Sequence, residues 1–169
     1  MKTAKLSMWG MALALVGSLG ACGGGEDSGA AVKESPLTGS VAAQPFNAKS
    51  ALATPESDRT SVTIYDKDVT CADRFRAGSG TQILLSVDSW KDGYSYQLGG
   101  SIDTPLGIPL PKYSVTFVTN GSSNTIVSKG RVEVVKASSK GTPGILRLRA
   151  DGGDSGSVEG QVAVTHCGG

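Results

Sequence analysis

The chain has little of what most enzyme and metal chemistry is built from. It has one histidine, His166, and three cysteines, no two of them in a C-x-x-C pair. The zinc spacing built on that pair is therefore missing. Neither sign of charge dominates: 16 basic residues stand against 15 acidic ones. A nucleic-acid binder carries a marked basic excess, so nucleic acid is not an expected partner. Long hydrophobic runs are also lacking. The longest, Met8 to Leu19, is broken by Gly and Ser and falls short of the roughly 20 apolar residues that span a bilayer as a helix. Aromatics make up only 5%. What is plentiful is glycine, at 24 residues. That composition suits many turns and short strands better than a helical bundle.

The short apolar run does have a use. With Lys2 and Lys5 ahead of it, residues 1–21 read as a secretory signal with a positive start and an apolar middle. It ends in Leu19-Gly20-Ala21-Cys22, followed by three glycines. This resembles the lipobox of bacterial lipoproteins, which implies cleavage before Cys22 and acylation of its thiol. The implied partner is a membrane, held through lipid on Cys22, since two or more acyl chains make an attachment stable. Gly23 stands where an Asp would, by the sorting rule of that family, retain the protein at the inner membrane. The resemblance therefore implies the cell envelope, at the outer membrane. Residues 22–38 are rich in Gly, Ala, Ser and charge and read as a tether. Some 16 such residues would hold a domain roughly 20–25 Å from the lipid.

Once Cys22 is assigned to lipid, Cys71 and Cys167 remain. An even number in an oxidising compartment is expected to pair. The disulfide would close a loop of about 97 residues, stabilising the fold by about 4–5 kcal/mol in the chain-entropy model. Those two cysteines and His166 fall short of four zinc ligands. No metal and no cofactor is expected.

Residues 39–169 read as one β domain. Ser40 to Phe46 is a first strand, and Asn47 to Ala53 is helix-tolerant until Pro55 stops it. In Ser61 to Asp66, Val62 and Ile64 face one way, Thr63 and Tyr65 the other. Lys67 to Gly80 reads as a loop held by the disulfide. Gln82 to Trp90 is a strand with Ile83, Leu85 and Val87 inward. Asp92-Gly93 marks a hairpin turn returning through Tyr94 to Leu98. Three prolines from Pro105 to Pro111 exclude a central strand. Lys112 to Thr119 alternates again and ends at the Asn120-Gly121 turn. Arg131 to Lys136, Ile145 to Ala150 and Val158 to His166 form a meander with Val132, Val134, Leu146, Leu148, Val162 and Val164 on the core face. The fold class is all-β, an antiparallel sandwich or small barrel of about eight strands with one disulfide.

Three features also resemble a group of small lipoproteins typical of myxobacteria. They are Gly39-x-Val41 with Phe46, the Val62-x-Ile64-x-Asp66 strand ahead of Cys71, and the Val158-x-Gly160-x-Val162 strand leading to Cys167. The resemblance implies the fold and no activity.

Few residues suggest a site. Gly153-Asp154-Ser155-Gly156 resembles the nucleophile segment of chymotrypsin-like proteases, but the only histidine follows the serine and 131 residues are short for two barrels. It reads as a turn. Asp66, Asp68 and Asp73 lack the spacing of a calcium loop and read as solvated. Arg131, Lys136, Arg147 and Arg149, interleaved with Glu133 and Glu159, read as a solvated face. Trp90, Tyr94 and Tyr96 are the candidate ligand-binding residues, either packed in the core or stacking on a sugar ring. The expected function is a non-enzymatic binding or structural module on the envelope. Its partner would be an envelope protein or a polysaccharide, the latter making it a carbohydrate-binding module.

Overall fold

A computed structural model describes residues 30–75, 80–105, 107–120 and 123–168. The expected signal peptide and Cys22 lie outside the described residues. The strands are β1 (Thr38–Val41), β2 (Gln44–Asn47), β3 (Ser50–Pro55), β4 (Thr60–Tyr65), β5 (Thr81–Val87), β6 (Tyr94–Gln97), β7 (Val115–Thr119), β8 (Ser123–Val127), β9 (Gly130–Lys136), β10 (Gly144–Asp151) and β11 (Ser157–His166). No α-helix occurs among the described residues; one 3₁₀ turn spans Gly153–Ser155. The protein is all-β.

The strands form one sheet that curls into a half-barrel, in the order β6-β9-β10-β11-β3-β4-β5-β7-β8, with β1 and β2 branching from β11. Every strand pair is antiparallel except β11 with β3, where Thr165 and His166 lie beside Leu52 and Ala53 in parallel. The meander is the part most clearly written in the sequence. Leu146 lies opposite Val134 and Val162, and Leu148 opposite Val132, so alternate residues of three strands share one buried face. Val62, Ile64, Ile83, Leu85 and Val87 cover that face from β4 and β5. At Gly99 the chain following β6 bridges to Tyr113, just ahead of β7.

Four sequence expectations need correction. Asn47 to Ala53 is no helix: from Ser50 it is β3, because Ala51 and Ala53 enter the main core while Leu52 faces a second cluster with Tyr65, Val69 and Cys167. A strand buried on both faces loses the alternation that marks a half-buried one. Ser40 to Phe46 is two strands, β1 and β2. Their turn puts Ala42 and Ala43 at φ +49° and +61°, the left-handed values a two-residue hairpin requires, and Ala42 N–H donates to the Ser155 carbonyl. Asp92-Gly93 does turn the chain, but not into a β5–β6 hairpin. Tyr94–Gln97 pairs with Val134 to Arg131 of β9, with Gly93 N–H on Val134 and the Asp92 carboxylate accepting from Ala137 N–H. The corner passes the chain from one arm of the sheet to the other. β8, which follows Asn120, carries no apolar alternation and is seen only in the structure.

The fourth correction concerns the tether. From Ala30 to Thr38 the chain is docked, with Val32 and Leu37 buried. Leu37 N–H donates to Gln161 and Gln161 N–H to Ser35. Lys33 pairs with Glu159 at 2.8 Å and Glu34 with Arg147 at 2.6 Å. The close approach depends on Gly160, at φ +139°. A Cβ there would lie 2.5 Å from the carbonyls of Ser35 and Pro36. The remaining tether residues, 22–29, lie outside the described residues.

The disulfide joins Cys71 to Cys167 with Cα atoms 5.4 Å apart. The Arg74 guanidinium donates to the Cys167 carbonyl at 3.2 Å. This clip fixes the loop after β4 to the end of β11.

Candidate functional site

The outer faces of β4, β5 and β7 carry small hydroxyl side chains, because their other faces make the core. Thr63 pairs with Leu84 and Leu84 with Thr116; Ser61 pairs with Ser86. These side chains floor an open groove of about 440 Å³, within the range of small-ligand sites. Arg59, Asp88, Lys112 and Tyr113 stand at its margins. Arg59 is already paired with Glu56 at 3.1 Å and lies 3.7 Å from Asp58. Asp88 and Lys112 make no ion pair among the described residues. Lys112 Nζ lies 5.1 Å from the centre of the Tyr113 ring.

Tyr113 belongs to an aromatic cluster that the sequence only half revealed. Its ring is 4.7 Å from that of Tyr96, which is 5.9 Å from that of Tyr94. Tyr96 is buried, and its hydroxyl donates to the Ser86 carbonyl at 2.8 Å, tying β6 to β5. Burial, with Asp88 and the neighbouring tyrosines, raises its pKa well above the usual tyrosine value. Burial, then Tyr113 and Asp88, raises that of Tyr94 as well. Trp90 packs against the core, half-buried, and its Nε1–H donates to Ser138 at 3.2 Å.

The three aromatics suggested as a stacking face are thus split. Tyr96 is inside and unavailable to a ligand, Trp90 and Tyr94 are half-buried and do not line the groove, and Tyr113 is the aromatic that does. Tyr113 lies in the alternating Lys112 to Thr119 segment, and its place beside Tyr96 follows from its pairing with Gly99, which alternation does not specify. A ring beside a floor of hydroxyls, with one carboxylate and one ammonium, can hydrogen-bond and stack on a polar ligand. Neither histidine nor cysteine lines the groove.

The remaining candidates are scattered. Ser155 lies just ahead of β11 and His166 is the last of its ten residues, about 30 Å apart at about 3.3 Å per residue. Asp66 accepts from Thr81 N–H and Asp73 from the Thr70 hydroxyl. Most of the charged meander face is paired: Arg131 with Glu133 at 2.6 Å, Arg147 with Glu34 at 2.6 Å, and Arg149 3.9 Å from Glu159. A second groove of about 440 Å³ runs beside residues 33–39, and its charged walls are engaged: Lys33 pairs with Glu159, Arg149 donates to the Ala30 carbonyl, and the Asp151 carboxylate accepts from Gly153 N–H.

No protein-family model matches the chain, and no curated protein or solved structure matches it either.

Proposed function

We propose that the chain is a lipid-anchored, non-enzymatic protein of the cell envelope, held at the outer membrane through Cys22, whose β domain binds an envelope component in the β4–β5–β7 groove. The anchor rests on the lipobox-like Leu19-Gly20-Ala21-Cys22 and on Gly23 after it. The binding reading is carried by the groove, which offers a polar ligand hydroxyls, Asp88, Lys112 and Tyr113, while the Ser61 hydroxyl on its floor is already donated to the Glu56 carboxylate. Reading the curled sheet as a small barrel or sandwich is supported by the Gly99–Tyr113 bridge and the Tyr96–Ser86 hydrogen bond. Both join the β6 arm to the β5–β7 arm.

A polysaccharide is the second reading of the ligand, ahead of nucleic acid on charge and favoured by the Tyr113 ring beside a hydroxyl floor. One experiment addresses both readings. Photo-crosslinking residues replace Ser86 in the groove and Ser139 away from it, in living cells. Adducts from position 86 alone support the groove, and their protein or glycan nature decides the ligand. Equal or absent adducts at both positions sink it. Labelling with an alkynyl fatty acid, abolished by Cys22→Ser, checks the anchor separately.

A further inference from the structure

Between β6 and β7 the chain makes an excursion that prolines had marked only as non-strand. It is a finger. Gly99 and Tyr113 exchange hydrogen bonds at 2.7 and 3.0 Å, and Ile102 and Leu110 at 2.9 and 3.2 Å. Thr104 closes its turn, its carbonyl accepting from Gly107 N–H and its hydroxyl from Ile108 N–H. The hydroxyl donates in turn to the Ile108 carbonyl at 2.8 Å.

The finger is apolar where a water-facing turn would be polar. Ile102, Ile108 and Leu110 are 46%, 58% and 49% exposed, half of the six large apolar side chains exposed among the described residues. Between Asp103 and Lys112 the sequence has no charge. Its backbone is equally unusual. Pro105, Pro109 and Pro111 have no N–H, and those of Gly107, Ile108 and Leu110 are bonded within the finger. From residue 105 to 111, no described residue presents a free backbone donor. A protein partner can satisfy such donors, whereas hydrocarbon cannot. The described residues of the segment therefore carry no bare donor into an apolar layer.

The finger also points from the correct end. The Ala30 carbonyl accepts from the Arg149 guanidinium. Arg149 lies opposite Arg131 on β9, and Arg131 opposite Gln97 on β6. The chain therefore enters the fold beside the Arg149 side chain of β10, two strands across the sheet from the end of β6 that leads into the finger. We propose that this finger inserts its apolar tip into the interfacial layer of the bilayer that carries the anchor. The orientation rests on Cys22 as the acylated residue. Residues 22–29 span at most about 29 Å, and the finger reaches about 20 Å beyond its root, so the two lengths are compatible. Insertion to a depth of about 5–10 Å is that of an interfacial element.

The test uses the full chain as cells make it, reconstituted in phosphatidylethanolamine–phosphatidylglycerol vesicles with brominated acyl chains. An environment-sensitive fluorophore is placed at Ile108→Cys or, as control, at Ile126→Cys, an exposed apolar position on β8. Wild-type chain labelled alike gives the background. Bromine should quench the label at 108 at least about twofold more than the label at 126, as expected for an interfacial depth. Equal quenching overturns the proposal. So does a label at 108 shielded only by a co-purifying protein, which would make the finger a protein-docking element. The mass of the amino-terminal peptide from the same sample separates the two readings. Quenching without acylation leaves the finger standing and removes the anchor; acylation without quenching does the reverse.

Discussion

At the scale of single residues, Tyr96 is the side chain on which most converges. Its ring fills the space between the β6 and β5–β7 arms, and its hydroxyl is a donor that must keep its proton to reach Ser86. Because its pKa is raised in the folded chain, the unfolded chain loses that proton first. The stability Tyr96 contributes is complete below about pH 10, the unfolded tyrosine value, and is lost as pH rises above it. Tyr96→Phe should cost about 1 kcal/mol at pH 8 from the lost hydrogen bond and leave stability falling less steeply above pH 10. Urea midpoints at pH 8, 10 and 11 read both effects. An unchanged alkaline slope would show that another group governs the loss.

Elements bring in constraints that no single residue carries. β11 pairs with β10 on one side, with β1 and then β3 on the other, and takes residues 35–37 against Gly160. Gly160→Ala would force Cβ into two carbonyls at a left-handed φ. The expected loss is about 2–4 kcal/mol, with proteolytic cleavage appearing between residues 30 and 37. Cleavage there without loss of global stability would mean that the segment is dispensable to the core. The same element shows what the sequence made legible. Its alternation of Val158, Val162 and Val164 identified the strand and its core face, as did that of β9 and β10, because one face is wet. β3 was hidden because both faces are covered. The pairing of β6 with β9 was hidden because Asp92-Gly93 specifies that the chain turns and leaves open which strand it joins. Of the candidate site, Tyr94 and Tyr96 were legible as aromatics near a turn. The groove was not, since Ser61, Thr63, Ser86 and Thr116 become one surface only through register.

Taken whole, the molecule is fastened at one end of β11 by the docked segment 30–38 and at the other by Cys71–Cys167. Replacing both cysteines by serine should lower stability by at most about 4–5 kcal/mol, with the main core intact, because the bond mainly restricts the unfolded chain. Urea denaturation with and without reductant measures it. No change on reduction would mean that the second cluster of Leu52, Tyr65 and Val69 holds the clip unaided. The central place of β11 has a further meaning for how the protein comes into being. A chain is born amino terminus first, and the strand that β1, β3 and β10 all require is the last of the described strands to be made. Whatever leaves a ribosome or a translocation pore ahead of Ser157 has its partners for those edges still to come. β3, β4, β5, β7 and β8 can pair among themselves before that point, but the join of this arm to β10 and β9 waits for β11.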